Sequence, residues 1–248
     1  MTRAKFVTAV ALYGTKQEPV RELLQPIQEI VRRELGGGFR PYTLDQIHST
    51  LITLDWAPDG RTGRPVNQRY QEVTGAADPM DPGRALGILG SFGESPHRIR
   101  MGGFRPASPV TFSSRGMHPH DRTFCAHGQA LVLVGWPLAT IARGLSAKPL
   151  DDLRRHMNDA NILHRYHKSP ADIDNDFHLV IGHHDHAPPD QASAAVTAVR
   201  QYLAEHPAEV DVGLGDVAVI ASDSTTLAPA RFIGRLPEDR AAIMDLFR

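Results

Sequence analysis

The sequence predicts an α+β fold in which a strand–helix–strand unit occurs twice. Three observations carry that expectation. Strands and helices alternate along the whole chain, two of the strands open on a histidine, and neither a linker nor a short-period repeat divides the 248 residues. The length suits one large domain or two small halves sharing a core, and residues 1–248 read as a single composite domain.

The elements follow in order. Phe6–Tyr13 (FVTAVALY) reads as a strand. The basic residues and short apolar run at the chain start mimic a signal peptide, but the run leads straight into the polar TKQEP. Pro19–Leu35 places Val20, Leu23, Leu24, Ile27, Ile30 and Val31 on one helical stripe. Pro26 kinks this helix or marks its true start, and three glycines from Gly36 stop it. Ile47–Trp56 is rich in β-branched residues and forms the next strand, and Ala57–Met80 is a loop with a short helix. A helix at Pro82–Leu89 precedes strands at His97–Phe104 and Ala130–Trp136, the latter apolar enough to be buried on both faces. Leu150–His164 is expected as a helix, Phe177–His183 as a strand, and Pro189–Glu205 as a helix with proline in its first turn. Strands at Val210–Ile220 and Arg231–Leu236 and a short helix at Glu238–Phe247 close the chain.

Composition narrows the function classes. One cysteine, Cys125, excludes an internal disulfide and fits a reducing compartment. No run approaches the ~18 apolar residues that span a bilayer, so a cytoplasmic protein without a membrane partner is expected. A net charge of −1 supplies no positive field for long nucleic acids. The excess of arginine (23) over lysine (4) reads as genome composition and is no argument for RNA. A small nucleotide or an RNA end fits better than a duplex; no obligate protein partner is evident, and a monomer is expected.

The chemistry resides in two strands, Ile47-His48-Ser49-Thr50-Leu51 and Phe177-His178-Leu179-Val180-Ile181. Side chains at i and i+2 of a strand share a face, so His48 lies with Thr50 and His178 with Val180. Cleaving a phosphodiester requires a base for the incoming oxygen and an acid for the leaving one. Two imidazoles suit that task because histidine titrates near ~6.5, and a hydroxyl two residues on can donate to a phosphoryl oxygen. Either histidine by itself reads more simply as a strand residue satisfied by a neighbour.

On these motifs, and on the order of elements around them, the chain resembles the 2H phosphoesterase superfamily, which includes 2′,3′-cyclic phosphodiesterases and the so-called RNA 2′,5′-ligases. The family carries two His-x-Thr/Ser-apolar motifs in two lobes; His48-Ser49-Thr50-Leu51 fits the first in full. The strand ending Met101-Gly102-Gly103-Phe104 and the segment Val212–Leu236, like the family's closing hairpin, extend the likeness. It implies two pseudo-symmetric lobes, each a small antiparallel sheet flanked by helices, with a central cleft. It also implies a cofactor- and metal-independent phosphodiesterase acting on a 2′,3′-cyclic or 2′,5′-linked phosphate, with His48 and His178 catalytic and Thr50 binding phosphate. His178 is expected to activate water and His48 to protonate the leaving oxygen. Two features depart from the family. Val180 stands where it has Thr or Ser, removing one phosphate donor, and the stretch Pro106–Cys125 lengthens the span between the motifs.

Other polar clusters compete. Arg115 and Arg122 are candidate contacts for a second phosphate or a base, beside the plainer reading as surface arginines. Met117–His127 is expected as a loop near the site; within it Cys125 lacks any sign of a lowered pKa. His183–His186 suggests metal ligands, but neighbouring residues of a strand point apart. His164–Lys168 reads as positive charge at a helix end. Asp172–Asp176 resembles half a calcium loop with the glycine and glutamate misplaced, and is rejected as one. Two alternatives to the esterase therefore stand: a catalytically weakened nucleotide- or RNA-end-binding module on the same fold, and a metallohydrolase built on His183–His186.

Overall fold

A computed structural model describes residues 6–169, 172–223 and 230–248. The first five residues, and positions 224–229 of the expected closing hairpin, lie outside the described residues.

The fold is α+β. Twelve strands are described: β1 Phe6–Ala11, β2 Phe39–Pro41, β3 Ser49–Thr53, β4 Ala57–Pro58, β5 Pro65–Val66, β6 His97–Met101, β7 Phe124–His127, β8 Ala130–Pro137, β9 Phe177–His184, β10 Ala208–Val212, β11 Val217–Ser222 and β12 Arg231–Arg235. The α-helices are α1 Glu18–Leu35, α2 Gln68–Thr74, α3 Pro82–Gly93, α4 Pro119–Arg122, α5 Leu138–Arg143, α6 Pro149–His156, α7 Pro189–Glu205 and α8 Arg240–Met244. Helix α1 runs continuously through Pro26.

Ten strands form one antiparallel sheet ordered β10-β6-β8-β9-β3-β1-β11-β12, with β2 and β7 attached to β9 and β8; β4 and β5 make a separate ribbon. The sheet is thus continuous rather than two small ones. Its two four-stranded halves meet where β3 and β9 pair through Ser49 and Leu179.

Alternation sorts the two faces. Odd positions of β1, β3, β9 and β11, such as Ala9, Leu51, Leu179 and Val219, enter one core with Leu24, Ile27 and Val31 of α1 and Ala195, Val199 and Leu203 of α7. Each fully buried Leu, Ile or Val there contributes roughly 1.5–3 kcal/mol. Among the described residues the opposite face carries two small apolar clusters: Val10, Ala218 and Ile220 on one half, and Phe104, Phe112, Val132, Val134 and Trp136 on the other. Between them His48, Thr50, His178 and Val180 remain half-open.

Two expected elements differ. Val210–Ile220 is two strands, because Gly213 begins a turn closed by the Asp216 carboxylate accepting from the Gly213 N–H at 2.9 Å. The helix expected over Leu150–His164 ends at His156, followed by a 3₁₀ turn and by Asn161 in a left-handed conformation (φ 57°). His164 and His167 therefore do not end a helix. Both are buried in a loop, where His164 Nδ1 accepts from Thr53 N at 3.3 Å and Arg165 pairs with Asp55.

Candidate active site

The β3–β9 junction sets the geometry. With Ser49 paired to Leu179, the antiparallel register continued by one residue puts Thr50 opposite His178 and His48 opposite Val180. All four share the half-open face, while Ser49, Leu51, Leu179 and Ile181 point into the core. His48 and His178 are diagonal neighbours, so their Cβ atoms lie within about 7–8 Å.

The two rings are held differently. His48 Nδ1 lies 2.6 Å from the Gln46 carbonyl; it donates there and leaves Nε2 free for the cleft. Burial pushes the His48 pKa below its ordinary value, a backbone bond to Gln46 opposes this, and the charge of Lys16 adds to the lowering. Lys16 is itself buried, its ammonium donating to Gly14 O at 2.5 Å; desolvation brings it down to about 8, with Asp45 opposing and Arg235 adding to the fall.

His178, with 27% of its side chain exposed, stands against a buried polar network. Its Nε2 accepts from Arg122 Nη2 at 2.8 Å and lies 3.4 Å from Asp176 Oδ2. Asp176 also accepts from Ser114 Oγ (2.7 and 2.8 Å), Trp136 Nε1 (2.7 Å) and Arg122 Nη2 (3.1 Å). Burial alone would raise its pKa, but the contacts with His178 and Ser114 and the charge of Arg122 hold it well below the usual carboxylate range. A proton on His178 Nε2 would exchange the Arg122 donor for an ion pair with Asp176.

Behind both strands lies Arg154 of α6, 1% exposed. Its guanidinium donates to the carbonyls of Thr50 (3.1 Å), Leu51 (3.1 Å), Asp174 (2.7 Å) and Asp176 (3.2 Å), and pairs with the Asp174 carboxylate at 3.2 Å. One side chain thus ties the first histidine strand to the approach of the second. Arg154, Ser114 and Trp136 were not singled out by sequence, and Asp174 and Asp176 entered only through the rejected calcium-loop reading of Asp172–Asp176. A signal existed for the acids, since Asp174, Asp176 and His178 follow one another at i+2 and so share a face wherever the chain is extended.

The remaining candidates fall into place around this core. Arg122 is buried and in the site; Arg115, half-exposed, lies 3.7 Å from Asp174 at the rim of a cavity of ≈ 170 Å³ that Trp136 and Phe112 wall and Asp174 and Asp176 floor. The Met117–His127 segment is α4 and β7 rather than loop. Cys125 Sγ accepts from Arg122 Nη1 at 3.0 Å, and burial pushes its thiol up, the wrong direction for a nucleophile. In His183–His186, the His183 ring packs 5.2 Å from Tyr42, and His184 is buried with Nδ1 accepting from Ala187 N. Among the described residues no three His, Cys, Asp or Glu side chains converge as metal ligands, and no helix is long and apolar enough to cross a membrane.

No family model matches this chain, and no curated protein does. A crystal structure of TT0787 from Thermus thermophilus is similar at 13% identity, covering 93% of this chain and 94% of that one with a TM-score of 0.44.

Proposed function

We propose that this protein is a metal-independent phosphodiesterase that hydrolyses a 2′,3′-cyclic phosphate or a 2′,5′-linked nucleotide or RNA end, with His48 and His178 as its acid–base pair. The observation that carries the reading is the β3–β9 register, which sets two half-open histidines diagonally on one face with Thr50 beside them.

The electrostatics favour a definite division of labour, the reverse of the one expected from sequence. His48, whose protonated form is disfavoured by burial and Lys16, takes a proton from water through Nε2. The water oxygen bonds to phosphorus, the bond to the ribose oxygen breaks, and that oxygen receives a proton from His178, whose Nε2 lies 3.4 Å from Asp176 Oδ2. Thr50 donates to a non-bridging oxygen.

Arg122 answers the absence of a hydroxyl at position 180. Val132 pairs with both Cys125 and Val180, so these three side chains share the cleft face. The Arg122 guanidinium reaches from Cys125 to His178 across that row. A bound phosphate draws Nη2 from His178 to a phosphoryl oxygen, which frees Nε2 for its proton. Arg122→Ala should cost about 10²-fold in kcat/KM. Adding Val180→Thr to that variant should restore part of the loss, whereas Val180→Thr by itself leaves activity equal or higher. An Arg122→Ala enzyme as active as the wild type would remove Arg122 from the mechanism, and lack of rescue would mean that position 180 does not face the phosphate.

A panel of nucleoside 2′,3′-cyclic phosphates and 2′,5′-linked dinucleotides, assayed with and without chelator, tests the function. Turnover that survives chelator is expected. Chelator-sensitive turnover would replace this reading with metal chemistry. Binding without turnover would favour the weakened module, for which the valine at position 180 is the one supporting observation.

A further inference from the structure

We propose that Lys16 is a further phosphate-binding residue of the cleft, its ammonium meeting the oxygen that hydrolysis adds to phosphorus. The proposal rests on the phosphodiesterase reading and adds which charge state of the phosphate the site prefers.

Lys16 is 8% exposed, yet among the described residues its ammonium makes one hydrogen bond, to the Gly14 carbonyl. An ammonium carries three donors, so two remain to be used. Other buried cations of the protein have a carboxylate: Arg122 pairs with Asp176, Arg154 with Asp174, Arg165 with Asp55 and Lys148 with Asp151. Lys16 has no such ion pair among the described residues, and positions 1–5, 170–171 and 224–229 contain no acid. Exposed Asp45 acts on it through charge alone. Arg235 adds a second positive charge beside it, donating to Tyr13 O at 2.7 Å and to Gly215 O at 3.3 Å. A buried charge without a counter-ion costs stability unless a ligand supplies one.

Hydrogen bonds fix where this charge lies. Gly14 N donates to Asp45 O at 2.9 Å, and the next residue, Gln46, supplies the carbonyl that holds His48 Nδ1 at 2.6 Å. The Tyr13 ring stands 5.9 Å from that of His48. Lys16 therefore flanks the first histidine, where its charge is felt. Its flexible stem lets the ammonium exchange Gly14 O for a ligand oxygen. The water activated by His48 brings the one new oxygen to phosphorus, so that oxygen arrives on the Lys16 side. The diester carries one negative charge, whereas the monoester product carries nearly two at neutral pH. The second charge is what the unpaired ammonium answers, and the cleft should hold the dianion more tightly than the monoanion.

The test uses two ligands with the same nucleoside, adenosine 2′,3′-cyclic phosphate as substrate and adenosine 2′-monophosphate as inhibitor. At about pH 7.5, where the monoester is a dianion, Lys16→Met should raise the inhibitor Ki about tenfold and the substrate KM less than about threefold. In phosphate-free buffer the variant should unfold at the same denaturant concentration as wild type or a higher one, since an uncompensated buried charge is gone. Three results overturn the proposal: an unchanged Ki, an equal rise in Ki and KM, or a lower unfolding midpoint, which would make the ammonium structural. If wild type does not turn over the cyclic phosphate, the phosphodiesterase reading is what has failed. Lys16 is then judged by calorimetric titration with inorganic phosphate. Affinity about tenfold weaker in Lys16→Met upholds the site, and equal affinity or no binding to wild type overturns it.

Discussion

Replacing His48 with Ala is expected to lower kcat on a nucleoside 2′,3′-cyclic phosphate by about 10³-fold, and His178→Ala to do likewise. The two act on one transition state, one accepting a proton as the other gives one up. The double variant should therefore be little worse than either single. Both rings are half-open, so the variants should unfold at nearly the same denaturant concentration as the wild type. Retention of more than a tenth of wild-type kcat by either one would end the two-histidine mechanism. The pH profile gives an independent check. If neutral His48 is the base, the acid limb should lie below the pH at which an ordinary imidazole titrates, because burial and Lys16 both lower it. Lys16→Gln removes a positive charge that opposes protonation, so the limb should move to higher pH. A shift to lower pH would contradict the assignment.

Sequence patterning reaches part of this site and stops at a definable point. His48 and Thr50 are legible because strand alternation is local: once Ser49–Thr53 is extended, which residues share a face follows without further information. The strand at Phe177 and the helix at Pro189 are legible for the same reason. Arg154 is not, because its value lies in four carbonyl partners between 20 and 104 residues away. Asp174 and Asp176 look like solvated acids until Arg154, Arg122 and Trp136 close around them. His164 and His167 mislead in the opposite sense. Their basic neighbourhood suits an exposed helix end, yet Thr53 and Asp55 hold that stretch inside. Long-range polar pairing, which periodicity does not encode, accounts for each of these differences.

Arg154→Met should be the most damaging single change to stability, costing about 3–5 kcal/mol. The methionine fills much of the volume, so the loss is polar in origin. The carbonyls of Thr50, Leu51, Asp174 and Asp176 lose their donor, and the Asp174 carboxylate loses its ion pair in a buried setting. Denaturant unfolding measures this as a lower midpoint at unchanged slope, and a loss under about 1 kcal/mol would mean that the clamp is dispensable. Acid supplies the second readout. Burial alone would raise the Asp174 pKa, but the charge of Arg154 leads the groups that bring it down to about 2, below its unfolded value near 3.9. A depressed carboxylate contributes stability that is fully present above the unfolded pKa and is lost as pH falls through the folded one. Wild type should therefore weaken between about pH 4 and pH 2. In Arg154→Met the folded pKa of Asp174 rises toward or above the unfolded value, so the fall across that window should flatten. An equally steep fall would assign the hold on Asp174 to its other neighbours, His178 before His164.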